Sequence, residues 1–80
     1  MELIPIQVQC YAGYKADESP CRFFLGESWI KVKEILDRWY QGNRDPEWPI
    51  ADYFKVLGGD GSEYILKHDR EYDEWFLVNS

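Results

Sequence analysis

Residues 50–78 restrict the possible folds more than any other stretch of the chain. They read as three strands with two short links: IADYFKVL, the turn GGDG, SEYILKH, a charged connection over residues 69–74, and WFLV. In the first run Tyr53, Lys55 and Leu57 alternate with Phe54 and Val56; in the second Tyr64, Leu66 and His68 alternate with Ile65 and Lys67. Side chains alternate faces along a strand, so this is the pattern of a sheet with two chemically different sides. Gly58, Gly59, Asp60 and Gly61 supply the positive φ that a tight hairpin needs, at no steric cost. The apolar set Phe54, Val56 and Ile65 is expected inside. The mixed set Tyr53, Lys55, Tyr64, Leu66 and His68 is expected near any binding surface.

The remaining residues must cover that meander. From Ile4 the N-terminal run alternates, with Ile6, Val8, Cys10 and Ala12 on one side and Pro5, Gln7, Gln9 and Tyr11 on the other, a strand with one buried face. Pro5 cannot donate to a ladder and belongs at the strand's start or on an edge. KADESP is a loop by its turn chemistry, and CRFFLG is a second short strand ending at Gly26. Cys10 and Cys21 flank the loop, which makes a hairpin possible. A cross-strand disulfide is conceivable there, but in a reducing compartment the expectation is two free thiols.

Residues 28–40 admit two readings. As a helix, Trp29, Val32, Ile35, Leu36, Trp39 and Tyr40 form an amphipathic stripe, and periodicity alone favours this. As a strand, Ile30 and Val32 alternate with Lys31 and Lys33, the phase slips by one at Glu34, and Ile35, Asp37 and Trp39 continue on one face. Such a slip is what a β-bulge produces. Residues 41–49 are dense in turn formers and carry Trp48 between Pro46 and Pro49.

Size and charge limit function. Eighty residues make one domain, and a chain so short buries only roughly 60% of its unfolded surface. Four Trp, six Tyr and four Phe exceed what that core can fully hold, so some rings are expected at the surface. Trp and Tyr are enriched at binding hot spots. The net charge is −6 and the densest basic cluster is Lys31, Lys33 and Arg38. This disfavours direct nucleic-acid binding, whose affinity comes largely from Lys and Arg on phosphate. No run is long and apolar enough to span a bilayer, and MELIPIQ lacks the features of a signal peptide. The expected location is the cytoplasm, with no membrane partner.

Catalytic and metal chemistry finds little support. His68 precedes Asp69, but adjacent strand residues point to opposite faces. Cys10, Cys21 and His68 are isolated as ligands, without the spacing of a zinc site. The Gly58–Gly61 run is followed by a strand, not by the helix whose N-terminus would meet a phosphate. Asp37, within an apolar run, is expected to tie its strand to a neighbouring loop.

The segments GYKADESPCRF, ILDRWY, DYFKVLGGDGSEYILKHD and EWFLV together resemble a family of small bacterial domains of unknown function. Its pattern is a Pro-Arg-x-Phe strand, a hydrophobic run ending in Arg-Trp, a Tyr-Phe or Tyr-Trp strand, a Gly-containing turn, a Tyr-x-Leu strand with Asp soon after, and a terminal Glu-Trp-Phe or Glu-Trp-Tyr. The resemblance covers most of residues 13–78. Cys21 stands where the family often has a basic residue. The resemblance implies a bulged strand over residues 28–40; members of the family are often encoded near translesion-type DNA polymerases, and the resemblance assigns no catalytic residue.

The expected fold is therefore all-β, a small, partly open, SH3-like antiparallel barrel of five or six strands, with an α+β arrangement carrying a helix near residues 31–41 as the alternative. The expected function is a non-enzymatic interaction module that binds a protein partner or itself through an aromatic patch, without cofactor or metal. Trp48, Tyr53, Tyr64, His68 and Trp75 are its candidate binding residues. An accessory role in nucleic-acid transactions or DNA repair is the alternative.

Overall fold

The computed structural model describes residues 2–10, 19–42 and 50–79. Six strands follow in chain order: β1 (Glu2–Cys10), β2 (Pro20–Leu25), β3 (Ser28–Gln41), β4 (Ala51–Gly58), β5 (Glu63–Asp69) and β6 (Glu74–Asn79). Each pairs antiparallel with the next and β6 pairs back with β1, so the ladder closes into a barrel. The fold is all-β, as the alternating patterns imply. Ala12, Tyr11 and Trp48 lie outside the described residues.

The helical alternative for residues 28–40 is overturned. β3 is one strand of 14 residues. Its first part, Ser28 to Lys31, pairs with β2, and from Val32 to Gln41 it pairs with β4. The register slips between Val32 and Glu34, where the alternation breaks, and again between Ile35 and Asp37. A bulge sets two residues opposite one and sharpens the local twist and bend. These slips give the 3.6-like spacing of apolar residues. The period is that of a twice-bulged strand, and its backbone groups are satisfied by two neighbouring strands in turn.

β1 divides its partners in the same way. It pairs with β6 from Glu2 to Ile6 and with β2 from Gln7 onward. Pro5 thus sits where β1 serves a ladder on one edge, as a residue without an N–H requires. The barrel is in effect a three-stranded sheet folded over a five-stranded one, with β1 and β3 common to both.

The core forms between them. Phe23, Phe54, Val56 and Leu66 are fully buried and Trp75 nearly so, with Ile6, Val8, Leu25, Ile30, Val32, Tyr64 and Leu77 packed around them. The Phe23 and Tyr64 rings meet edge to face at 5.1 Å. Each large apolar side chain so buried contributes about 1.5–3 kcal/mol.

One expected face is reversed. Phe54 lies opposite Leu66, and Val56 opposite Tyr64. Cross-strand partners share a face, so Tyr64, Leu66 and His68 point inward. Ile65, opposite Lys55, points outward and is half-buried. Lys67 decides the phase: a charge held outside fixes Ile65 outside with it, two positions away.

The turns show which glycines are needed, and why. Gly26 has φ +64° in the two-residue link between Leu25 and Ser28, as a type II′ hairpin turn requires of its first residue. In the β4–β5 link only Gly61 has positive φ, at +88°. Gly58 is required for space instead, because a Cβ there would lie 2.6 Å from Asp60 Oδ1 and 3.0 Å from both Ile30 and Tyr64. The Gly59 N–H donates to the Lys31 carbonyl at 2.7 Å, fastening this turn to β3 where β3 changes partner.

The same space argument separates the two glycines experimentally. Gly58→Ala is expected to cost about 1–3 kcal/mol through overpacking. Gly59→Ala, whose Cβ would meet Lys31 only at ordinary contact distance, should change stability by less than about 1 kcal/mol. Urea unfolding of the two variants measures the difference.

Candidate functional site

Of the sequence-predicted residues that are described, Tyr53 alone lies on the outer face. Trp75 (8% exposed) and His68 (7% exposed) are interior, a correction to their assignment near the surface. Their rings stack at 4.3 Å and 10°. His68 Nε2 lies 2.8 Å from Asp73 Oδ1, so its carboxylate partner is across the turn and is not the adjacent Asp69. Asp69 is itself buried and accepts the N–H groups of Glu71 and Tyr72 at 2.9 and 3.3 Å. That fixes the charged connection as an ordered turn, with Asp73 at φ 53°.

Beside it, buried Asp52 pairs with Arg70 at 3.0 Å, and the Arg70 guanidinium lies 5.6 Å from the Tyr40 ring centroid. These polar groups close one end of the barrel with partners for each. Among the described residues no group of three or more His, Cys, Asp or Glu side chains is placed to hold a metal, and no helix is long and apolar enough to cross a membrane.

Tyr64 packs inward, but its hydroxyl reaches the turn and donates to Asp60 Oδ2 at 2.5 Å. Asp60 also accepts the Ser62 N–H at 3.1 Å. The Tyr64 hydroxyl first, and then the Ser62 N–H, hold the Asp60 carboxyl below its ordinary value. Asp60 as acceptor raises the Tyr64 phenol above its own. Cys10 and Cys21 form no disulfide, and Cys21 Sγ donates to the Gln9 carbonyl at 3.1 Å.

The surface with binding character is the outer face of the five-stranded sheet. Trp39, Tyr53, Lys67, Phe76 and Pro5 are successive cross-strand partners over β3, β4, β5, β6 and β1. Beside this row run Asp37, Lys55 and Ile65, then Val78 opposite Leu3. Trp39 and Tyr53 stack with centroids 5.4 Å apart and planes 1° apart. The Tyr53 hydroxyl donates to Gln41 Oε1 at 2.8 Å, and Lys67 Nζ lies 5.9 Å from the Tyr53 ring.

Trp39 and Leu3 are 39% and 40% exposed; Tyr53, Ile65, Phe76 and Val78 are half-buried. Asp37 does not tie β3 to a loop: it is exposed, accepts the Arg38 N–H at 2.8 Å, and faces Lys55. Phe76, Val78, Leu3 and Pro5 escaped the sequence reading. The signal was present in WFLV, which is apolar on both faces, whereas a strand with one wet face alternates. No family model, curated protein or solved structure matches the chain.

The Asp60–Tyr64 pair gives a pH signature. A depressed carboxylate contributes stability that is present above its unfolded pKa and lost as pH falls through the folded one. Asp60→Asn should therefore differ most from wild type near neutral pH, and the difference should vanish in acid. On the alkaline side the raised Tyr64 phenol contributes below its unfolded pKa of about 10, and this is lost as pH rises through the folded value. NMR titration of the Tyr64 ring should show its pKa falling toward the ordinary value in the Asn variant.

Proposed function

We propose that the protein is a non-enzymatic interaction module whose outer sheet face docks a protein partner or a second copy of the chain. The largely apolar face formed by Leu3, Pro5, Trp39, Tyr53, Ile65, Phe76 and Val78 around Lys55 and Lys67 carries this reading. Soluble chains seldom leave so much of one sheet face apolar without a use for it. The local charge agrees. Lys55 and Lys67 stand against Asp37 and Glu63, and Lys55 pairs with Glu63 at 3.5 Å. The face is thus close to neutral on a chain of net charge −6, and another acidic protein can approach it without strong repulsion. The groups that suggested catalysis serve the fold: His68 is spent on Asp73 and Trp75, and Asp69 on its turn.

A second reading, an accessory role in nucleic-acid transactions as the family resemblance implies, draws support from Lys67 beside the Tyr53 ring. Aromatic faces with nearby cations can carry single-stranded bases. Two lysines, one of them already paired with Glu63, are a small electrostatic complement for phosphate. A single-stranded DNA titration at low salt should show no saturable binding; saturation lost on Tyr53→Ala would establish this second reading.

For the first reading, light scattering over a concentration series and lysine-directed cross-linking in lysate measure self-association and partner capture. Cross-links should run through Lys55 and Lys67. Trp39→Glu and Phe76→Glu should each weaken the complex about tenfold or more, as for central interface residues, with the far-UV spectrum unchanged. A wild-type monomer at all concentrations, with no cross-link through either lysine, sinks the proposal.

A further inference from the structure

We infer a second binding site, which adjoins the outer face and shares Pro5 and Phe76 with it: the groove at the parting of β1 and β6, which takes an extended basic segment of a protein partner. The two strands pair only as far as Ile6 opposite Trp75, after which β1 turns to β2. Between the diverging strands lies an open groove of about 620 Å3. Pro5, Val8, Trp29 and Phe76 give it apolar walls, and Asp73 and Glu74 stand on its rim. Among the described residues no Lys or Arg lines it.

Charge complementarity selects the occupant. Asp73 has one oxygen on His68, and its side chain remains 82% exposed. Glu74 is exposed and makes no ion pair among the described residues. Two carboxylates beside aromatic walls suit an Arg or Lys side chain, whose methylene stem lies on apolar surface while its head meets the acids. The Trp29 ring already carries the chain's own Arg22 guanidinium, 5.1 Å from its centroid, so the rim acids are what an incoming cation meets.

The occupant is extended because the strand edge calls for it. From Gln7 to Gln9, β1 has its ladder with β2 on one side and none with β6 on the other, among the described residues. The open edge offers backbone groups to an added strand, and the groove offers a pocket for its alternate side chains.

The probe is the peptide Ac-Ala-Arg-Ala-Arg-Ala-NH2, titrated by NMR into the labelled full chain, with the Glu-for-Arg peptide as control. The Arg peptide should shift the Trp29 indole N–H and the backbone N–H groups of residues 7–9 and 73–76 saturably, and the Glu peptide should not. The double variant Asp73→Asn/Glu74→Gln should weaken the Arg peptide about fivefold or more, the sum expected of two exposed ion pairs. Asn readily adopts the positive φ that Asp73 holds, so this variant keeps the turn.

Trp39→Glu on the outer face should leave the titration unchanged, so failure of outer-face docking and failure of this site are told apart. Shifts scattered over the whole acidic surface, no shift at the groove, or equal affinity in the double variant would each overturn the inference.

Discussion

The barrel depends on β3 being able to belong to two sheets. A regular strand of 14 residues would run straight past the corner, and its second half would leave β2 without reaching β4. The slips at Val32/Glu34 and Ile35/Asp37 put two residues opposite one at two places, and each adds bend and twist. The hydrogen bond from Gly59 to Lys31 pins the β4–β5 turn where the change of partner occurs. With that corner made, Phe23 from the small sheet can lie over Phe54, Val56 and Leu66 from the large one. Without it the two sheets share no interior, and an isolated hairpin pair of this size has too little core to persist.

The closed end of the barrel shows how polar groups are accommodated in so thin a core. His68, Asp52 and Asp69 are all buried, and a buried polar group without a partner is costly. His68 has Asp73 in its plane of hydrogen bonding and Trp75 on its face. Asp52 has Arg70, whose other contact is the Tyr40 ring. Asp69 takes two backbone N–H groups that the turn would otherwise leave open. Among the described residues no buried side-chain polar atom lacks a partner. A charged connection in the sequence thus becomes the stopper of the barrel.

The last two hairpins were legible because they rest on alternation and on turn residues, which are local; over residues 28–40 apolar periodicity favours a helix, and the bulged strand comes from the family resemblance. Two further things were not legible. The first was the phase of β5. Tyr and His are amphipathic, so Tyr64 and His68 read equally well inside or outside; only the ladder to Val56 and Asp52 places them. Tyr64 even satisfies both readings, with its ring in the core and its hydroxyl on Asp60. The second was the outer aromatic row. Trp39, Tyr53, Phe76 and Pro5 are remote in sequence and become neighbours only through four successive registers. A binding patch made by pairing has no sequence motif. Its trace is the unexplained apolarity of strands such as WFLV.

That trace has a physical consequence. β6 and the first half of β1 are apolar on both faces, with Trp75, Leu77, Ile4 and Ile6 turned inward and Phe76, Val78, Leu3 and Pro5 outward. Fold stability needs only the inner set. The outer set adds little to the folded state, since it stays half-exposed, and it raises the hazard of non-specific association. The excess negative charge of the chain offsets that hazard, because like-charged copies repel at a distance. It is placed partly on Glu71, Asp73 and Glu74, at the opposite end of β6 from Val78. On the proposed reading, an apolar, nearly neutral face beside an acid-rimmed groove would discriminate by shape at one position and by charge at the other. Both positions are framed by the same two strands, so the change of partner in β1 between Ile6 and Gln7 sets the spacing between them.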